Sequence, residues 1–115
     1  MSDYVKYYLG EIANVNTSFA AAEGLIQINT VSDVPRVNVY DTDGNAVISN
    51  ALLTNYDTTV LTEIEGGYLL NTSTLGVGTY TVSIGAYVES FSTDLVSQGV
   101  EYIINSGNIE VVSVP

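Results

Sequence analysis

The stretch TLGVGTYTVSIGAYV, residues 74–88, carries two patterns in succession. It opens with Gly76 and Gly78, whose freedom at positive φ suits a loop. From Tyr80 it alternates strictly. Tyr80, Val82, Ile84, Ala86 and Val88 fall on one face of an extended chain, and Thr81, Ser83, Gly85 and Tyr87 on the other. A period of two predicts a strand with one buried face. Tyr80 stands at the junction, where a ring closes the end of a core while its hydroxyl still reaches the loop before it. That makes Tyr80 a residue of the fold and not of a site.

The same signals repeat on either side. GLIQINT and PRVNVYD alternate around Ile26, Ile28, Val37 and Val39, with VSDVP as the turn between them. Pro35 cannot donate to a ladder, so it opens its strand or sits at an edge. Asp41, Asp43 and Gly44 in DTDGNAVIS predict a tight hairpin turn. TTVLTEI followed by GGYLLNTS reads as a second hairpin, turning at Gly66 and Gly67. ESFSTDLVSQ is polar and reads as a loop holding one helical turn, or as a continuation of the strand. The chain then closes with GVEYIIN, a turn at SGN, and IEVVSVP.

At the other end, YVKYYLGEIANVNTSF is only patchily alternating and reads as one or two short edge strands or an extended arm. TSFAAAEG reads equally as a loop or as one or two helical turns, with Thr17 or Ser18 as cap and Gly24 as terminator. Turn signals recur every eight to twelve residues or so, the spacing of a sandwich or barrel. The expected fold is therefore all-β: a single antiparallel β-sandwich of seven to nine short strands over residues 21–115, with residues 1–20 as an N-terminal arm or edge strands.

Composition agrees. With 115 residues there is room for one domain and one core. The apolar share of 46% is that of a folded chain, while the charged share of 13% is about half the usual value. Two basic residues, Lys6 and Arg36, stand against thirteen acidic ones, a net charge of −11. Such a field repels phosphate backbones and anionic headgroups, so neither nucleic acid nor membrane is expected as a partner. The chain has no cysteine and no histidine. Thiol nucleophiles, disulfides, most transition-metal sites and the usual general base of hydrolases go with them.

Three clusters invite a chemical reading. Asp41-Thr-Asp43-Gly-Asn45 starts like a calcium loop, but the sixth and twelfth positions are Ala46 and Leu52 where glycine and a bidentate glutamate are needed. Turn chemistry explains the same residues. Glu63 and Glu65 share one strand face and repel, with no cleft to set them across a sugar. The serines and threonines lack a base to activate them. No catalytic, cofactor or metal residue is therefore assigned, and the chain is expected not to be an enzyme. Nine tyrosines remain. Tyr40, Tyr68, Tyr80 and Tyr102 sit on strands as core or sheet-face packing, and among Tyr4, Tyr7, Tyr8, Tyr56 and Tyr87 some should be exposed, where tyrosine favours protein contact. Tyr4, Tyr7 and Tyr8, with Lys6 seeking a partner carboxylate, form the expected interface.

The run Leu75-Gly-Val-Gly78-Thr-Tyr80-Thr-Val-Ser-Ile resembles the tyrosine corner of immunoglobulin-like and fibronectin-type domains, where a tyrosine just after a loop begins the penultimate strand. RVNVYDTDGNAVIS is similar to the V-x-V-x-D-x-D-G middle strands of bacterial and viral Ig-like modules. Together these cover residues 36–88, and the missing cysteine pair and tryptophan exclude only the antibody-like branch. A small Ig-like domain with few charges, opening on Tyr-x-x-Gly-Glu at residues 7–11, resembles the capsid decoration, neck and tail accessory proteins of tailed phages. The resemblance implies a non-enzymatic structural protein docked on the outer surface of a virion. Its partners would be major capsid or tail proteins and copies of itself, in a homo-oligomer or larger assembly. The opening residues do not read as a secretory signal, so it would be made in the host cytoplasm and located in the virion. The alternative is an adhesion or carbohydrate-binding Ig-like module assisted by calcium.

Overall fold

The computed structural model describes residues 5–21 and 23–115. Alternation becomes strand almost throughout. In chain order the strands are β1 (Val5–Tyr8), β2 (Ile12–Ala20), β3 (Leu25–Ile28), β4 (Arg36–Tyr40), β5 (Ala46–Leu52), β6 (Asn55–Tyr56), β7 (Glu63–Asn71), β8 (Gly78–Phe91) and β9 (Ser97–Val112). An isolated bridge joins Ile26 to Leu61, and a single 3₁₀ turn, Thr72–Thr74, follows β7.

Two sheets result. The larger has the order β1-β9-β8-β4-β5, with β3 also paired to β8, and the smaller is β2-β7-β6. Strand β8 organises the larger sheet. One edge runs along β9 from Gly78 opposite Val111 to Ser90 opposite Gly99, and the other is shared between β4 at Thr81 to Gly85 and β3 at Val88 to Phe91.

The sheets bury their alternating faces against each other as a sandwich. Val82, Ile84, Ala86 and Val88 are buried as the alternation requires, together with Val37, Val39, Ile109 and Val111 of the same sheet and Phe19, Ile64 and Leu70 of the smaller one. The N-terminal strands belong to this body. Ala13 and Phe19 of β2 are core residues, Tyr7 of β1 packs on the core, and both strands lie at sheet edges.

Tyr80 closes one end of the core. It is buried, and its hydroxyl donates to the carbonyl oxygens of Leu75 and Gly76 at 2.7 and 3.2 Å. Gly76 has φ of +86°, a left-handed conformation that a side chain would strain. Ring, hydroxyl and glycine together fix the approach loop.

Several expectations are corrected. Gly66 and Gly67 do not form a turn: they lie inside β7, between Thr17 and Asn16 of β2 on one side and Tyr56 and Asn55 of β6 on the other. They are glycines for closeness, since a Cβ on Gly66 would lie 2.9 Å from Leu53 Cδ2. Nor does Ser106-Gly107-Asn108 turn. These residues continue β9, opposite Ser83, Val82 and Thr81, because the long β8 offers a ladder partner at every step and pairing outweighs local turn propensity. The helical reading of TSFAAAEG fails for the same reason: residues through Ala20 pair with β7 in unbroken register.

The strands are not uniformly short either. β8 has 14 residues and β9 has 16, and the Leu61 bridge adds a further β segment to the nine strands. The sandwich is also not wholly antiparallel, since β1 pairs with β9 in parallel, Val5 opposite Ile109 through Tyr8 opposite Val112.

Candidate functional site

The expected interface divides on inspection. Tyr4 lies outside the described residues. Lys6 finds its carboxylate within the chain, 4.0 Å from Glu110 on the neighbouring strand, and Arg36 lies 3.4 Å from Asp33. Tyr7 points inward and packs on the core, so β1 presents only Tyr8 of its tyrosines to solvent. Parity explains the split. Tyr7 is opposite Val111 on the buried side of β9, and Tyr8 is opposite Val112 on the outer side.

Val5, Tyr8, Leu9 and Ile12 leave apolar surface exposed around β1, and a second exposed apolar group lies at the free end of the β8–β9 hairpin. On the outer face of β9, Val100, Tyr102 and Ile104 are 46%, 47% and 57% exposed. Leu95 and Val96 in the connecting turn are exposed as well. The turn is closed by Ser92 N–H donating to Val96 O and Leu95 N–H donating to Ser92 O. Tyr87 and Tyr102 face each other across the two strands, with ring centroids 4.8 Å apart and planes at 56°. Tyr102 lies over Gly85, where a Cβ would come within 2.0 Å of its hydroxyl oxygen. Glycine at position 85 is therefore the notch that seats this ring. Glu89 borders the patch and is engaged by Asn29 Nδ2 at 3.2 Å and the Ser97 hydroxyl at 2.7 Å.

A second surface lies on the outer face of the smaller sheet. Gly67 is flanked in register by Asn16 on β2 and Asn55 on β6, two strand spacings apart. With no side chain at 67 the backbone forms the floor of a cup of about 240 Å³, bounded along β7 by Glu65 and Leu69. Beside it a more open groove of about 590 Å³ runs past Tyr56, Asp57, Leu61 and Glu63. The Thr59 backbone N–H and hydroxyl, both 2.8 Å from Asp57 Oδ1, hold that carboxyl below its ordinary range.

The Asp41 carboxylate is occupied by the β4–β5 turn itself. Asp41 Oδ1 accepts from the N–H groups of Asp43 and Asn45 at 2.9 and 3.0 Å, and Gly44 takes φ of +83°. Among the described residues no group of three or more His, Cys, Asp or Glu is placed to hold a metal ion.

Sequence reasoning missed both the hairpin patch and the cup. The signal for the patch was present in the alternation of VEYII, where Tyr102 was read as core or sheet-face packing. The signal for the cup was the glycine pair, read as a turn. No family model matches this chain, and neither does any curated protein or solved structure.

Proposed function

We propose that the chain is an immunoglobulin-like sandwich serving as a non-enzymatic structural protein of a virus particle, a decoration or auxiliary protein docked on the outer surface of a phage capsid. The Ig-like reading is supported by strand order and corner. A first strand parallel to the last, a three-stranded sheet opposite, and a tyrosine hydroxyl bonded back into the loop before the penultimate strand are all features of that architecture.

The docking reading rests on one observation, the apolar free end of the β8–β9 hairpin. Leu95, Val96, Val100, Tyr102 and Ile104 put apolar surface in water with little charge among them, as a surface held for a partner does. A net charge of −11 favours the outside of a particle over a position against packaged nucleic acid. The test is mass spectrometry of purified particles from the genome that encodes the chain. Recovery in fixed proportion to the major capsid or tail protein supports the reading, and absence from intact particles overturns it.

The cup around Gly67 favours a second reading, an adhesion or carbohydrate-binding module. Three asparagines, Asn14, Asn16 and Asn55, and Glu65 beside Leu69 offer hydrogen bonds and an apolar contact to a neutral, hydroxyl-rich ring. Nuclear magnetic resonance titration with neutral oligosaccharides, with and without calcium, checks it. Shifts confined to Asn16, Asn55 and Gly67 and abolished in Asn16→Ala would favour it over the docking protein.

A further inference from the structure

Several sheet edges in the described residues carry features that discourage pairing with another chain. Strand β5 is irregular against β4, with register shifts on both sides of Val39 and a left-handed Asn50 at φ of +54°. Strand β6 has only two residues, and β1 only four, one of them Lys6. The edge of β2 is interrupted where Asn105 Nδ2 reaches across to Ser18 O at 2.9 Å and Thr17 Oγ1 at 3.0 Å. Short strands, bulges, lysines and side-chain caps are the usual means by which edges avoid pairing with other chains.

Strand β9 is far longer and carries fewer of these along residues 97–107. It pairs with β8 throughout on one side, while among the described residues β1 covers its other side from Ile109 to Val112. Residues 97–107 contain no lysine, no arginine and no proline, and one charge, Glu101. The one irregularity, the positive φ of Gly99 beside the register shift at Ser90, lies near the end of the run. Eleven residues of strand span about 35 Å, enough for a full ladder.

We infer that this edge is a self-association surface, and that two copies of the chain join β9 to β9 antiparallel about a two-fold axis at Tyr102, making one continuous sheet. The choice of a second copy comes from the pairing it produces. Opposed residues must share a face, so the axis falls on a residue. At Tyr102 the overlap uses all of residues 97–107. It sets Val100 against the partner's Ile104 on both sides of the axis, so these exposed apolar side chains meet each other, while the Tyr102 rings, seated over Gly85, flank the axis. Moving the axis to Glu101 would set two glutamates face to face. At Tyr102, Glu101 lies opposite the partner's Ile103 and diagonal to the partner's Glu101, a modest repulsion that salt screens. The contact is isologous and closed, so it ends at a dimer and does not propagate. It names one partner for the docking reading above, and the dimer stands or falls in solution independently of whether the larger particle is a virion.

The experiment is sedimentation of the full chain with three variants. The wild type should sediment as a dimer, more completely as salt is raised, and Glu101→Gln should dimerise at lower concentration. Ile104→Glu, at an exposed position, should halve the sedimenting mass with its melting curve little changed, and Val100→Glu serves as a second disrupting variant. The chain has no cysteine, which allows a register test. Copies carrying V100C mixed with copies carrying I104C should form a disulfide-linked dimer, and neither should link to itself. A wild type that stays monomeric at all concentrations and salts overturns the inference. So does a dimer that survives Ile104→Glu and forms no V100C–I104C link, because another face then carries it.

Discussion

Tyr80 shows how much one side chain settles. Its position at the start of an alternating run predicts a plug, and the structure gives the hydroxyl two carbonyl acceptors in the loop, on Leu75 and Gly76. Tyr80→Phe keeps the ring and removes the donor, so it should cost about 1 kcal/mol, the net worth of one partly buried hydrogen bond. Urea unfolding measures this, and a variant as stable as the parent would show the hydroxyl to be incidental. Asp57 makes a different prediction. Thr59 holds its pKa below the ordinary aspartate value by donating from both backbone and hydroxyl. The unfolded chain therefore takes up this proton first as pH falls. The stabilisation is complete above the unfolded pKa and is lost as pH drops through the lower, folded one. Carboxyl titration by nuclear magnetic resonance should place the Asp57 midpoint below 3.8, and Asp57→Asn should flatten that part of the acid limb of stability.

At the scale of elements, glycine is where sequence reading and structure part. Asp41, Asp43 and Gly44 turn the chain as their residue types predict, because the carboxylate and the left-handed glycine satisfy the turn locally. Gly66 and Gly107 look similar in sequence and lie inside strands. A turn needs only its own residues, whereas a glycine chosen for space is explained by a neighbour distant in sequence. The two strand glycines should respond oppositely to alanine. At Gly66 the new methyl meets Leu53 at 2.9 Å and the Asn55 carbonyl at 3.3 Å, so Gly66→Ala should destabilise by about 1–3 kcal/mol, the range for overpacking. At Gly107 nothing lies within 4 Å and φ is not positive, so Gly107→Ala should be neutral or should stabilise by up to about 1 kcal/mol through the unfolded state. Thermal melts of the two variants check both, and a large loss at Gly107 would restore the turn.

The whole molecule is long for its size, 54 × 23 × 21 Å, with a Cα radius of gyration of 15.6 Å where a round domain of this length has about 13 Å. The β8–β9 hairpin sets that length and carries the apolar patch to its end. The N-terminal segment does not hang free. Strand β1 lies on β9, Leu9 N–H donates to Val112 O at 2.8 Å, and Gly10 N–H donates to the Thr72 hydroxyl at 3.0 Å, which itself donates to Glu11 O at 2.6 Å. Removing residues 1–10 strips a strand from the sheet, exposes the core face at Val111 and leaves the buried Thr72 short of a partner. The truncated chain should melt well below the full one, and equal melting temperatures would make the segment a detachable arm after all.

By itself the sequence determined the fold class, the β4–β5 turn, the inward face of β8 and the role of Tyr80. Each of these is fixed by residues close together in the chain: a period of two, an aspartate and glycine in one turn, a ring beside its own loop. The tertiary structure alone decided which glycines turn and which make room, that Tyr7 is half-buried against the core while Tyr8 is exposed, and that β9 runs 16 residues with most of one edge unpaired among the described residues. These depend on which strand lies alongside which. Val100, Tyr102 and Ile104 alternate as a buried strand would, and only the absence of a covering layer on that face turns the same pattern into exposed surface.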